Sequence, residues 1–214
     1  MKVLRVGPPS GRWRHQRVVL DDGHALRVRP EDVATLGLTP GVELREEAFE
    51  ALRGRAEIVL ATESALRLLS VRLRSRRELD ERLRRRGTAP AVIQAVLDRL
   101  SAEGFLDDVR FARTWIRGRL ALRPSGGVRL RSELLRKGVA SGVIDQALRE
   151  AFSEADEHQL ALEVARSRLR RYRTQPAEVA YRRLAGVLHR RGFSAGAIAG
   201  ALHAVLGHAV PVTE

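Results

Sequence analysis

Three times in this chain a leucine is followed four residues later by glycine, then six residues on by isoleucine and four further by leucine. The sets are Leu83, Gly87, Ile93, Leu97; Leu134, Gly138, Ile144, Leu148; and Leu188, Gly192, Ile198, Leu202. The glycines lie 51 and 54 residues apart, so one supersecondary unit is used three times. A fold built this way is an array of stacked units, each leaning on its neighbours, before it is anything with a deep pocket.

Each position in the pattern has a physical task. The leucine sits one turn before the glycine, on a helix face that must be buried, and glycine just past the helix end can take the left-handed conformation that closes it. A second helix starts almost at once. Pro90 suits a first helical position, while Ser141 and Ser194 can accept a hydrogen bond from an orphan backbone amide. Apolar residues then recur at helical spacing: Ile93, Val96, Leu97 and Leu100; Ile144, Leu148 and Phe152; Ile198, Leu202 and Val205. Amphipathic stretches precede each pair, Ile58 to Leu73, Val109 to Leu122 and Leu160 to Leu169. Three helices in each of three units predict about nine helices.

The first 48 residues are of another kind. Arg14 to Leu20 and His24 to Arg29 flank Asp21, Asp22 and Gly23, and β-branched runs meeting an Asp-Gly turn read as a hairpin. Val3 to Val6 and Val42 to Leu44 are candidate edge strands, with a short helix around Glu31 to Leu36 and a turn at Pro40-Gly41. His15 and His24 are expected on the hairpin surface. The segment Glu46 to Glu57 reads as a helical connection against which the small β-rich piece can pack. The expected fold is mainly α: a β-rich extension over 1–48, then three-helix repeats over 49–106, 107–153 and 154–214, forming an elongated array.

Charge divides the chain unevenly. Residues 1–63 carry 10 basic and 10 acidic side chains, whereas residues 64–214 carry 29 and 16, the source of the whole net charge of +13. A field of that sign attracts polyanions, so nucleic acid or an acidic protein surface is the natural partner class. The run Arg76 to Arg86 compensates itself, because Glu78, Asp80 and Glu81 stand four residues before Arg82, Arg84 and Arg85, making a solvated face. The third unit does not compensate itself. Arg166, Arg168, Arg170, Arg171 and Arg173 surround Tyr172 with no acid between Glu163 and Glu178, and Arg182, Arg183, Arg190 and Arg191 follow with none before Glu214. These nine are the candidate partner- or DNA-binding residues; Arg72, Arg74, Arg86, Arg129 and Arg131 in the earlier units are secondary candidates.

Signals for catalysis and cofactors are lacking. With no cysteine there is no thiolate nucleophile and no cysteine-type zinc site. Pro124-Ser125-Gly126-Gly127 lacks the Lys-Ser/Thr of a phosphate loop and sits where the second unit needs a connection. Asp107 and Asp108 could suggest a metal, yet no further converging oxygens are signalled; Asp107 reads as a helix cap and Asp108 as an acid at the positive end of that helix. The histidines show no metal-binding spacing, so neither an enzyme, a metal nor a cofactor is expected. No apolar run reaches the roughly 18 residues of a membrane span, and Met1 to Arg5 does not lead into a signal-peptide core. A cytoplasmic monomer is the expectation.

Gly104-Phe105-Leu106-Asp107-Asp108 followed by Phe111-Ala112, the SRREL of Ser75 to Leu79 with Gly87, and Glu133-Leu134 with Lys137-Gly138 together resemble the RecX family of bacterial regulatory proteins. Val18 to Gly23 and Leu38 to Leu44 are similar to the β-rich extension of many members, and the likeness covers nearly the whole chain. The resemblance implies a modulator of the RecA recombinase that binds the RecA nucleoprotein filament. Such a modulator restrains filament extension, ATP hydrolysis, strand exchange and repressor cleavage, and so tunes DNA repair and the SOS response. It also implies contact with single- and double-stranded DNA. The alternative from charge alone is a DNA-binding protein that acts by occupying DNA.

Overall fold

The computed structural model describes residues 1–11, 14–154 and 156–207, the side chains of 153 and 154 excepted. Two compact units divide the chain, Met1–Leu106 and Asp107–Glu214.

The first unit opens with strands β1 (Val3–Val6), β2 (Gln16–Leu20) and β3 (Ala25–Val28), antiparallel and in that order. In β2 and β3 Val18, Leu20 and Val28 point inward while Arg17 and Arg27 face water, the alternation that a one-sided sheet requires. The expected hairpin is present: the Leu20 amide donates to the His24 carbonyl at 2.9 Å, with Gly23 at φ 87° in the turn between. Val42 to Leu44 does not become a strand. It makes one bridge, Lys2 to Glu43, and the Val3 amide donates to the Val42 carbonyl at 2.9 Å. A helix begins at Glu46, so too few extended residues remain for a ladder.

Helix α1 (Pro30–Thr35) leads to a single long helix, α2 (Glu46–Val71). Sequence spacing separates a connection from a following helix; in the structure the two are one 26-residue helix. Gly54 breaks nothing there, since a helical glycine costs only about 1 kcal/mol. Phe49, Leu52 and Ala56 of α2 close over the sheet with Val3, Val18, Leu20 and Val28. The core of the β-rich piece therefore runs past residue 48. Further along α2, Ala61 and Ala65 pack with Leu79 and Leu83 of α3 (Arg76–Arg84) and Ile93, Val96, Leu97 and Leu100 of α4 (Pro90–Ala102). His15 is not a surface group: its Nδ1 lies 2.9 Å from Glu63 Oε1 on α2, and both side chains are largely buried. Its imidazole helps fasten the hairpin to the helix, while His24 is exposed beside Asp22.

The second unit holds α5 (Asp108–Leu122), α6 (Gly127–Arg136), α7 (Ser141–Glu154), α8 (Glu157–Leu169), a 3-10 turn at Arg170–Tyr172, α9 (Ala177–Arg190) and α10 (Ala195–Leu206). Among the described residues α2 to α10 make up the three sets of three. Asp107 caps α5 as its position suggests, Oδ1 accepting from the amides of Val109 at 2.8 Å and Arg110 at 3.0 Å. Ser194 caps α10 through the Ala197 amide, and Ser141 Oγ accepts from Arg131.

The same closure ends α3, α6 and α9. Gly87, Gly138 and Gly192 have φ of 81°, 75° and 75°. The residue after each glycine donates back to the leucine carbonyl: Thr88 to Leu83 at 3.3 Å, Val139 to Leu134 at 3.2 Å and Phe193 to Leu188 at 3.3 Å. This is the six-to-one bond of a Schellman motif, so the leucine supplies both the acceptor and a wholly buried side chain. Each such burial contributes about 1.5–3 kcal/mol.

Candidate polyanion-binding surface

The closing glycine of α9 also builds a joint. The Gly126 amide donates to the Arg191 carbonyl at 3.0 Å and the Val128 amide to the Gly192 carbonyl at 3.1 Å, so the start of α6 is capped by the end of α9. The approach is close enough that a Cβ on Gly126 would lie 2.1 Å from the Gly192 oxygen, and one on Gly192 would lie 2.3 Å from the Arg129 nitrogen. Two arginines cross the joint in opposite directions: Arg129 Nη1 donates to the Arg190 carbonyl at 3.2 Å and Arg191 Nη1 to the Pro124 carbonyl at 3.1 Å. Glu157 completes it, accepting from the Gly127 amide at 2.9 Å and from Ser194 Oγ at 2.7 Å. Pro124 to Gly127 is thus more than a connection; no local pattern shows which backbone a glycine will touch.

Many arginines of the first two repeats are paired with acids. Asp80 binds Arg84 at 2.6 Å and Glu81 lies 3.9 Å from Arg85, as their spacing suggests, while Glu78 is bound by Arg72 at 3.0 Å. Arg113 pairs with Glu150 at 2.6 Å and Arg131 with Asp145. Glu133 is a buried hub, taking Arg119 at 2.8 Å, Arg129 at 3.0 Å and the Trp115 indole N–H at 3.3 Å. Burial pushes its carboxyl up, but the Arg129 hydrogen bond, the Arg119 charge and the Trp115 donor together hold it below the usual glutamate value. Arg119 and Lys137 also lie over the Trp115 ring, at 4.7 and 4.1 Å from its centre.

Of the secondary candidates, Arg72, Arg129 and Arg131 are therefore engaged within the fold. Arg74 is a correction to any surface role: it is 8% exposed, its Nε donates to the Leu68 carbonyl at 3.1 Å, and burial lowers its pKa. Only Arg86 of that group stands exposed with no ion pair among the described residues.

The third repeat differs. Arg166, Arg168, Arg170, Arg171, Arg173, Arg182, Arg183 and Arg190 make no ion pair with any acid among the described residues, and all but the half-buried Arg168 are exposed. Two concavities collect most of them. One is lined by Pro124, Glu163, Val164, Ser167, Arg168, Arg171 and Arg191. The other is lined by Tyr172, Val179, Arg182, Arg183, Gly186 and Arg190, with the Arg183 guanidinium 5.7 Å from the Tyr172 ring centre. Arg166, Arg170 and Arg173 line neither. The Arg191 guanidinium is held below the usual arginine range by its burial first, then by the charges of Arg123, Arg168 and Arg129. Sequence reading missed Arg123, Ser167 and Glu163 because nothing local marks them as neighbours of Arg191. No group of three or more metal-ligating side chains occurs among the described residues.

Fold and surface define a tandem three-helix-repeat protein whose terminal repeat is cationic. Family models for the first, second and third three-helix domains of RecX match residues 61–100, 107–148 and 155–202. The regulatory protein RecX of Thermobifida fusca (strain YX) is 42% identical over 149 residues, covering 70% of this chain and 77% of that one. RecX of Mycolicibacterium smegmatis is 43% identical over 133 residues, covering 60% and 70%. A crystal structure of regulatory protein RecX superposes with a TM-score of 0.78 at 23% identity, over 96% of this chain and 98% of that one, a likeness of fold. The chain belongs to the RecX family of regulatory proteins.

Proposed function

We propose that this protein binds the RecA nucleoprotein filament and inhibits its extension, ATP hydrolysis, strand exchange and repressor cleavage, thereby modulating DNA repair and the SOS response. It acts in the cytoplasm, as a monomer and without a cofactor. The observation that carries the proposal, beyond family membership, is the run of arginines in the third repeat that no acid among the described residues pairs with. Concentrated like charge destabilises a compact state through self-repulsion, and a polyanionic partner relieves it. A filament of repeated protein subunits on DNA supplies such a partner many times over, and linked attachments raise avidity without a deep pocket.

The reading is tested by titrating the protein into RecA already assembled on single-stranded DNA and following ATP hydrolysis. Inhibition is expected at amounts far below those that coat the DNA. Absence of inhibition, or inhibition only at coating stoichiometry, would instead make the protein a competitor for DNA. Replacing Arg168, Arg170, Arg171 and Arg173 by Gln should weaken filament or DNA binding while leaving helix content intact. The second reading, direct action on DNA, is favoured by Tyr172 standing among Arg182, Arg183 and Arg190, the aromatic-plus-guanidinium mixture that suits nucleic acid.

A further inference from the structure

The structure assigns the concavity between the second and third repeats, walled by Ser167, Arg168, Arg171 and Arg191, as the seat of a backbone phosphate of a nucleic acid. This rests on the reading that the third repeat meets a polyanion, and it says where and with which chemistry.

Four observations lead there. Arg168 lies in the last turn of α8 and Arg171 follows in the 3-10 turn, three residues on, so both side chains stand on one face of a continuous helical run. Arg191 arrives from the far end of α9 and is already held, one of its N–H groups given to the Pro124 carbonyl at 3.1 Å. A guanidinium has five N–H donors, so this tether leaves others for an anion while fixing where they point. Ser167 adds a hydroxyl, and Glu163 is the one acid among the lining residues.

Electrostatics agree with the geometry. Arg191 is surrounded by Arg123, Arg129 and Arg168, and of these only Arg129 is paired with a carboxylate among the described residues. A preorganised cluster with excess positive charge gains most from an anion that brings charge and several acceptor oxygens together. A nucleic-acid backbone fits better than an isolated carboxylate because the next residue, Tyr172, opens into the neighbouring concavity with Arg182, Arg183 and Arg190. Consecutive residues of one turn thus serve two adjacent cationic sites, and a chain of regularly spaced phosphates can occupy both.

The test measures binding of the full protein to fluorescent oligothymidine over a series of salt concentrations. With Arg168→Gln and Arg171→Gln together, the log-log salt slope should become shallower by about 0.7 for each phosphate that the protein no longer neutralises, with weaker binding at every salt. Glu163→Gln removes the opposing charge and should tighten binding about two- to fivefold, a gain that misfolding cannot mimic. An unchanged slope in the double variant together with no gain in Glu163→Gln would overturn the assignment. So would loss of binding to the RecA filament with oligothymidine binding intact, because the concavity would then seat an acidic protein surface. A third variant, Arg182→Gln with Arg183→Gln and Arg190→Gln, separates the two levels of inference. If it alone weakens binding, the cationic surface stands and the phosphate seat falls; if none of the three variants alters binding to oligothymidine or filament, both fall.

Discussion

Gly126→Ala should loosen the joint between the second and third repeats while leaving both repeats folded. Gly126 has φ −80°, a conformation open to any residue, so the substitution adds no backbone strain of its own. Its effect is steric. The new methyl would sit 2.1 Å from the Gly192 oxygen, 2.3 Å from Phe193 Cα and 2.4 Å from the Gly192 carbonyl carbon, all backbone atoms that cannot swing aside. The start of α6 and the end of α9 must separate, and four hydrogen bonds span that gap: Gly126 to Arg191, Val128 to Gly192, Arg129 to Arg190 and Arg191 to Pro124. At about 0.5–1.5 kcal/mol each they contribute about 2–6 kcal/mol. The lower unfolded-state entropy of alanine offsets about 0.4–1 kcal/mol of their loss. A net destabilisation of about 3 kcal/mol is expected, confined to the joint. Gly127→Ala is the control, since its methyl would meet side-chain atoms and no backbone, the rim of the Phe152 ring at 3.3 Å and Glu157 Oε1 at 3.9 Å. Hydrogen exchange reads the result: the Val128 amide should exchange on the order of a hundredfold faster in Gly126→Ala, as about 3 kcal/mol of local opening implies, and little changed in Gly127→Ala. Equal protection and equal urea midpoints in the two variants would refute the close approach.

Two further predictions concern the second repeat. Asp107→Ala should cost about 1 kcal/mol in urea unfolding, because Oδ1 caps two amides of α5, whereas Asp107→Asn should cost little; equal loss in both would show that charge and not capping matters. Glu133 should make stability pH-dependent. Its folded carboxyl titrates below its unfolded one, so its contribution is complete above the ordinary glutamate value of about 4.3 and is lost as pH falls through the folded value. Glu133→Gln should therefore be less stable than the parent at pH 7 and approach it in acid; a difference in urea midpoint constant from pH 7 to pH 3 would exclude this role.

Much of the fold was legible because it is local. A leucine, a glycine four residues on and a start signal after it are read within two helical turns, and Leu83, Leu134 and Leu188 do what that spacing predicts. Asp107 was readable as a cap for the same reason. The hairpin at Asp22-Gly23 was also local, but the strand expected at Val42 to Leu44 was not formed, since α2 claims the residues that follow. His15 was misplaced because its partner, Glu63, lies on another element. The charge imbalance of the third repeat was visible, as an arginine run with no acid within reach along the chain has no local partner to find.

What the sequence alone determined, then, is the threefold unit, its glycine closures and the repeat whose arginines have no acid close by along the chain, since each depends on residues a few positions apart. Tertiary structure decided which backbones touch and which cations converge. Gly126 meets Gly192, and Arg191 joins Arg168 and Arg171, through packing between helices far apart in the chain. Helical periodicity does not encode that register; the close approach of two glycine-bearing helix ends sets it.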